Sequence, residues 1–177
     1  MRDVIIIGAG VSGACVAREL SAYKLDICVL DKESDICEGT SKANSAIVHG
    51  GFDALPGTLN AKLNVWGTEI MEDMSKQLDF SFKRNGSLVV CQGPDEIEGL
   101  EKLLARGEAN GVKGMEILDR AAALEKEPNL SDTVYAALYV PSAGIVCPFG
   151  MNIAYAENAA VNGVEFKLNT KVEAIEK

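Results

Sequence analysis

The sequence predicts an α/β fold in which a parallel sheet is flanked by helices. Residues 4–7 are four consecutive β-branched residues, a pattern typical of a parallel strand that helices cover on both faces. A glycine-rich turn follows, then a helix rich in small residues, and then a second apolar strand over residues 26–30. Strand, glycine turn, helix and strand in this order form a βαβ unit of the Rossmann type.

The turn carries the pattern G-x-G-x-x-G, in which each glycine has a separate task. Gly8 allows the tight turn, Gly10 lets a pyrophosphate approach the backbone, and Gly13 lets the helix pack closely against the strand. Asp31 lies 21 residues after Gly10, where a carboxylate accepts hydrogen bonds from a ribose diol and disfavours a 2′-phosphate. We therefore predict a dinucleotide site. The alternative is a glycine-rich turn in another kind of α/β protein.

Composition argues against several classes of protein. With 177 residues, 47% of them hydrophobic and 24% charged, the chain is predicted to be globular, with one domain or a little more. The net charge of −9, with no compensating basic run, argues against a nucleic-acid partner. No apolar run is long enough for a membrane span, and a strand that begins near Met1 leaves no room for a signal peptide. The predicted location is cytoplasmic.

The cysteines support the same location. They are odd in number, widely spaced and without a C-x-x-C pair, so most are expected to be small hydrophobic residues in a reducing compartment. With one histidine and no clustered thiols, we expect no metal site. The five are Cys15, Cys28, Cys37, Cys91 and Cys147.

Beyond Asp31, a polar, turn-forming stretch over residues 32–45 is typical of a functional loop. Residues 59–78 then predict an amphipathic helix, and we expect Trp66 and the methionines to pack in the core. The apolar stripe of this helix consists of Leu59, Leu63, Trp66, Ile70, Met74 and Leu78.

The middle of the chain differs in character from the opening βαβ unit. Short strands at 80–83 and 87–92, separated by Asn85–Gly86, predict an antiparallel hairpin. Helices are predicted from Pro94 to about 110 and before Pro128, with strands at 115–118 and 134–140. The remaining predicted elements are a helix over 149–162 and strands over 164–168 and 170–175.

Three stretches together resemble one family, the FAD-dependent oxidoreductases of the D-amino-acid-oxidase superfamily. Within it, the sequence is most similar to bacterial glycerol-3-phosphate dehydrogenase-like proteins and to L-2-hydroxyglutarate dehydrogenases. The most specific part is the run Asn-Ser-x-x-Val-His-Gly-Gly that begins at Asn44, and the likeness extends over essentially the whole chain. Besides the opening motif, the stretches are residues 39–53 and 57–65.

The resemblance implies FAD rather than NAD. It implies that the three glycines surround the pyrophosphate, that Asp31 beside Lys32 binds the ribose, and that the backbone of Val172 holds the adenine. It places loop residues near phosphate and flavin, and a His-Gly-Gly segment along the isoalloxazine. The residues concerned are Gly8, Gly10, Gly13, Asp31, Lys32, Ser41, Lys42, Asn44, Ser45, His49, Gly50, Gly51 and Val172. Cys147 stands where relatives often carry aspartate, and no role is transferred to it.

The implied reaction is hydride transfer from a small hydroxy substrate to flavin N5, most nearly oxidation of glycerol 3-phosphate to dihydroxyacetone phosphate. L-2-hydroxyglutarate oxidation and a non-catalytic dinucleotide-binding module are the alternatives, and the electron acceptor stays open. His49, the single histidine, is the candidate base or substrate-polarising group, or else a residue that positions the flavin.

Proteins of this family run to several hundred residues, so the resemblance implies an amino-terminal portion that works with a missing carboxy-terminal part. In domain terms, residues 1–78 and 145–177 are predicted to form a discontinuous, incomplete Rossmann-like FAD-binding domain. Residues 79–144 are predicted to be an inserted part of an α+β substrate domain. We expect the chain alone to bind FAD weakly and to expose apolar sheet edge.

Overall fold

The computed structural model describes residues 1–176, and these divide into two compact units. The first unit contains Met1–Ala46, Met74–Ser81 and the chain from Val146 onward, and the second contains Ile47–Asp73 and Phe82–Ile145. This division differs from the predicted domain boundaries chiefly at residues 47–73. The functional assignment of the two predicted domains stays a prediction.

The elements follow the predicted mixture of helices and strands. The helices are α1 (Val11–Leu20), α2 (Leu59–Leu78), α3 (Ile97–Ala109), α4 (Arg120–Lys126) and α5 (Pro148–Val161), with 3₁₀ turns at Thr40–Lys42 and Pro94–Glu96. The strands are β1 (Val4–Ile7), β2 (Ile27–Leu30), β3 (Ile47–Val48), β4 (Phe82–Lys83), β5 (Ser87–Cys91), β6 (Glu116–Asp119), β7 (Ala136–Val140), β8 (Gly144–Val146) and β9 (Glu165–Lys167).

The first unit contains a parallel sheet of order β1-β2-β9, which confirms the predicted fold class. Small residues such as Ala17 on α1 and Ala159 on α5 pack with Ile27 and Val29, so one face of the sheet is covered closely. On the other face, Ile5 and Ile7 are 56% and 57% exposed. Within residues 1–176, the predicted helix layers therefore cover one face of β1 and not the other.

Helix α2 begins and ends where the sequence predicts, but Trp66 does not pack in the core. Trp66 is 57% exposed, and the other residues of the apolar stripe before Met74 are also exposed. The reason is that the helix buries its opposite side, through Ala61 and Thr68. These two residues are seven positions apart and so lie on one helix face. Met74 and Leu78, in the last turns, do pack against the first unit's core. The other exposed residues of the stripe are Leu59, Leu63 and Ile70.

The second unit contains an antiparallel sheet of order β5-β7-β6 and a sheet of order β3-β8-β4, in which β3 and β8 pair antiparallel. Its core includes Leu100, Leu138 and Val140. The predicted hairpin is therefore wrong: β4 and β5 form as strands but belong to different sheets. Their connection pairs elsewhere, since the N–H of Gly86 donates to the carbonyl of Ala143 over 3.0 Å.

Strand β9 confirms the predicted strand near residue 166, whereas no strand is found over 170–175 in the part of the chain that the structure describes. Here the backbone follows the end of β2. The N–H groups of Asn169 and Thr170 donate to the carbonyls of Glu33 and Asp31, over 2.8 and 2.7 Å. Val172, half-buried, lies just beyond this contact.

Candidate functional site

The glycine loop between β1 and α1 has a geometry that only glycine permits at two positions. Gly8 has a φ of +104°, which L-residues with side chains rarely adopt. A Cβ on Gly13 would lie 1.9 Å from the carbonyl oxygen of Gly8, so α1 approaches the turn too closely for any side chain. The tight turn and the close helix packing predicted from the sequence are both present.

Gly10 is different. Its φ of −71° and ψ of 177° are extended values open to any residue. A Cβ there would meet the Ser41 hydroxyl oxygen at 3.1 Å, with no other atom closer than 4 Å. The backbone conformation and packing of the first unit therefore give little reason for glycine at this position.

Ala9 is held through both of its backbone polar groups. Its N–H donates to Oδ2 of Asp31 over 2.6 Å. Its carbonyl accepts hydrogen bonds from Nδ2 of Asn152 over 3.1 Å and from the N–H of Cys37 over 3.3 Å. Oδ1 of Asp31 accepts a further bond from the N–H of Glu33 over 2.9 Å. Since a carboxylate accepts about four hydrogen bonds, Asp31 keeps acceptor capacity for a ribose while it holds the loop.

The start of α1 offers donors to an anion. The first intrahelical bond runs from the N–H of Ala14 to the carbonyl of Gly10, so the preceding N–H groups of the helix have no partner within it. One of them, on Val11, donates to the Ser41 hydroxyl over 2.9 Å, and that hydroxyl still has its own proton to donate. Space is open beside Gly8, where a Cβ would meet nothing within 4 Å. The loop therefore fits the pyrophosphate of a dinucleotide.

The other predicted loop residues mainly hold the loop itself. The amide of Asn44 donates to the carbonyls of Thr40 and Ser41 and accepts from the N–H of Ala46, all within 3.1 Å. Ser45 is exposed. Of the predicted residues in this stretch, Ser41 reaches the glycine loop.

Two lysines near this loop are engaged by acidic neighbours. Lys42 pairs with Glu38 four residues earlier, and that hydrogen bond raises the pKa of the Lys42 ammonium. Lys32 lies 3.3 Å from Glu33. Both lysines are exposed, so these ion pairs contribute little to stability and leave the ammonium groups accessible to a phosphate.

In the second unit, His49 is exposed, and its carbonyl accepts a hydrogen bond from the Thr68 hydroxyl. Gly50 and Gly51 are buried. A Cβ on Gly50 would lie 2.4 Å from a methyl of Val140, and Gly51 combines a φ of +92° with a contact of 2.6 Å to a methyl of Val65. Packing within the second unit is enough to explain both glycines.

A cavity of about 170 Å³ lies beside Gly50 in the same unit. Its polar lining includes Thr68, Glu69, Lys113 and Ser142. A cavity of this size holds a small polar group or water molecules rather than a dinucleotide.

Asn152 on α5 is the site residue that sequence reasoning missed. It is fully buried and contacts the glycine loop from 143 positions away in the sequence. The available signal is an asparagine in an alanine-rich helix, five and six positions before its other polar residues, Glu157 and Asn158. Nothing near it in the sequence shows which backbone group it bonds.

The titratable residues give few further indications of a reactive group. Burial raises the pKa of the Tyr155 phenol to about 12 and also raises the pKa of the Cys15 and Cys37 thiols. Among residues 1–176, no cluster of histidine, cysteine and acidic residues could hold a metal ion. Within the same range, no helix combines the length and apolar character needed to cross a lipid bilayer.

Comparison with known proteins agrees with this geometry. Residues 3–177 match the DAO family model, described as FAD dependent oxidoreductase. The chain belongs to this family. FAD is accordingly its cofactor, and the glycine loop is the part of the first unit that fits it.

Individual relatives within the family are similar over most of this chain. The chain is 48% identical to a glycerol 3-phosphate dehydrogenase of Caloramator mitchellensis, covering 100% of this chain and 37% of the relative. It is 34% identical to the mitochondrial L-2-hydroxyglutarate dehydrogenase of Arabidopsis thaliana, covering 89% of this chain and 32% of the relative. The solved structure of the dithionite-reduced L-α-glycerophosphate oxidase of Mycoplasma pneumoniae, with FAD bound, is also similar. It matches with a TM-score of 0.90 and 32% identity, over 97% of this chain and 45% of that one. The chain thus spans less than half the length of these relatives.

Proposed function

We propose that this chain is the amino-terminal part of an FAD-dependent enzyme that oxidises glycerol 3-phosphate to dihydroxyacetone phosphate. The observation that carries the proposal is 48% identity over the whole chain to a glycerol 3-phosphate dehydrogenase. The similarity of the fold to a glycerophosphate oxidase structure, with a TM-score of 0.90, also supports the proposal. The carboxy-terminal part would supply the rest of the flavin and substrate contacts.

In this proposal the glycine loop binds the FAD pyrophosphate through Gly8, Gly10 and Gly13. The open space beside Gly8 and the free start of α1 support this placement. Ser41, whose hydroxyl reaches the loop, donates its proton to a phosphate oxygen. These groups orient the cofactor because backbone donors on a fixed turn lose little freedom when they bind.

The adenosine end lies at the carboxyl edge of β2. Asp31 accepts hydrogen bonds from the ribose with the lone pairs that Ala9 and Glu33 leave free. Lys32 lies beside it, and the backbone of Val172 faces the adenine. The hydrogen bonds from residues 169 and 170 to the chain just after β2 support this placement of Val172, because they bring the segment that contains Val172 to the edge where Asp31 lies.

At the flavin end we propose Lys42, Asn44, Ser45, His49, Gly50 and Gly51. When bound, FAD supplies the redox chemistry by accepting a hydride from the hydroxyl-bearing carbon of the substrate. His49 either takes the hydroxyl proton or positions the flavin, and its exposed side chain is accessible for both roles. The amide of Asn44, through its bonds to Ser41 and Ala46, orders the loop that leads to His49.

Two other functions compete with this one. Similarity to an L-2-hydroxyglutarate dehydrogenase, at 34% identity, favours a 2-hydroxy acid as the second candidate substrate. A non-catalytic dinucleotide-binding module is the other alternative. For location we propose the cytoplasm, since all five cysteines are free thiols and three of them are buried.

The test joins this chain to the carboxy-terminal part of the Caloramator mitchellensis relative and compares the hybrid with the chain alone. We expect the hybrid to bind FAD tightly and its flavin absorbance near 450 nm to bleach with glycerol 3-phosphate under anaerobic conditions. L-2-hydroxyglutarate serves as the second substrate. Bleaching by L-2-hydroxyglutarate alone would overturn the substrate assignment, and tight FAD binding with no bleaching would favour the non-catalytic module.

A further inference from the structure

Asn152 is an unusual residue for its surroundings. It lies in the alanine-rich helix α5, its side chain is 0% exposed, and its neighbours Tyr155 and Ala156 on the same helix are also buried. Burying an amide costs free energy unless its polar atoms are hydrogen-bonded. An aliphatic side chain would normally fill such a position.

The amide satisfies only part of its hydrogen-bonding capacity. Nδ2 donates to the carbonyl of Ala9 over 3.1 Å. Oδ1 accepts no hydrogen bond from any residue in the range 1–176. Since an unpaired buried acceptor destabilises a fold, Asn152 is a poor choice for stability at this place.

The bond that Asn152 does make fixes the glycine loop. The Ala9 carbonyl shares a peptide plane with the N–H of Gly10. The N–H of Ala9 belongs to the preceding peptide group and donates to Asp31. The Ala9 carbonyl is held by Asn152 and by the N–H of Cys37, so the Ala9–Gly10 peptide group is restrained against rotation. The bond to Asp31 restrains the preceding Gly8–Ala9 peptide group. Rotation of the Ala9–Gly10 peptide group would turn the N–H of Gly10, which is fixed in the same plane as the Ala9 carbonyl.

We propose that Asn152 is a positioning residue for FAD: it orients the Ala9–Gly10 peptide group so that the glycine loop presents its N–H groups to the pyrophosphate. This inference rests on the proposed placement of the pyrophosphate at that loop. According to this inference, Asn152 increases the affinity for FAD and does not increase the stability of the fold, so a substitution should change the first property and not the second.

The test replaces Asn152 in the 177-residue chain. Asn152→Leu keeps branching at Cγ and removes the donor, while Asn152→Ala removes it without adding volume. We expect both variants to bind FAD about tenfold more weakly, and the amide protons of Ala9 and Gly10 to exchange faster without FAD. For the leucine variant we expect a melting temperature no lower than that of the original chain. Asn158→Leu, on the same helix and away from Ala9, is the control and should leave FAD affinity and exchange at the loop unchanged.

Unchanged FAD affinity in both variants, or a drop in melting temperature without loss of affinity, would show a merely structural role and overturn the inference. Gly10→Val, measured in parallel, separates failure of the proposed pyrophosphate position from failure of the role proposed for Asn152. If that variant binds FAD normally, the placement of the pyrophosphate is wrong and this inference falls with it. If it loses FAD while the Asn152 variants do not, only the inference fails.

Discussion

Two glycine-bearing segments carry most of the predicted cofactor contacts, and they use glycine for different reasons. In the second unit, Gly50 and Gly51 are glycines because Val140 and Val65 leave no room for a Cβ and because Gly51 has a left-handed φ. In the first unit, Gly8 and Gly13 are explained by similar local constraints. Gly10 has an ordinary backbone conformation, and a Cβ there would meet only the Ser41 hydroxyl oxygen.

The comparison shows which glycine packing and backbone conformation do not explain. A glycine that packing already explains says nothing about a cofactor, however well it fits a family motif. Of the three motif glycines, Gly10 is the one that the first unit does not need, so it is the position where the proposed approach of a phosphate can be tested. The proposed FAD contacts of Gly50 and Gly51 therefore rest on the family resemblance alone.

The largest effect is expected for Gly13→Ala. A Cβ 1.9 Å from a backbone oxygen forces α1 away from the turn, and we expect the chain to lose about 4 kcal/mol of folding free energy. Chemical denaturation measures this. Gly99→Ala, in α3 with open space around it, is the control and should not destabilise. Equal stability of the two variants would contradict the close approach.

Gly51→Ala is expected to follow, with a loss of about 3 kcal/mol from the left-handed φ and the clash with Val65. The same denaturation experiment measures it. Gly67→Ala, at an unobstructed position in α2, should instead stabilise by about 0.5–1 kcal/mol. A Gly51→Ala variant as stable as the original chain, but defective in FAD binding, would reverse the comparison by making this glycine a ligand position.

Gly10→Val should change affinity without changing stability. We expect FAD to bind at least 100-fold more weakly, about 2.7 kcal/mol, while the free energy of unfolding stays within about 0.5 kcal/mol. Flavin fluorescence quenching measures the first quantity and thermal melting the second. Normal FAD occupancy in this variant would remove the argument for the loop.

The smallest effect is expected for Asp31→Ala, about 1–3 kcal/mol in FAD affinity, the range for lost hydrogen bonds to a charged acceptor. The variant also loses the acceptor for the Ala9 N–H, so a modest drop in stability accompanies it. Asp31→Asn keeps an oxygen for Ala9 and is the matched control. If titration of the two variants gives the affinity of the original chain, the ribose is bound elsewhere.

Local rules were sufficient for much of this protein. The opening strand, the glycine turn, α1 and β2 follow from β-branched residues, glycine spacing and small residues, and the bounds of α2 follow from apolar periodicity alone. These features depend on interactions between residues a few positions apart, which the sequence displays directly. The family motifs added FAD, which no periodicity indicates.

The local sequence patterns did not predict pairing between elements that are far apart in the sequence. The sequence marks β4 and β5 as strands, yet whether they pair with each other depends on Ala143 and Gly144, nearly sixty positions later. Trp66 lies on an apolar stripe, yet the helix packs through Ala61 and Thr68, because small residues permit the closer approach. A pattern identifies a face and does not identify the face that is buried.

The sequence by itself therefore determined the βαβ start, the main helices, the family and the cofactor. Only the tertiary structure decided which strands pair, which helix face is buried, which glycine packing leaves unexplained, and that Asn152 holds the Ala9 carbonyl. The physical reason is separation along the chain. Hydrogen bonds and contacts between residues tens of positions apart depend on how whole elements pack, and no local pattern encodes that packing.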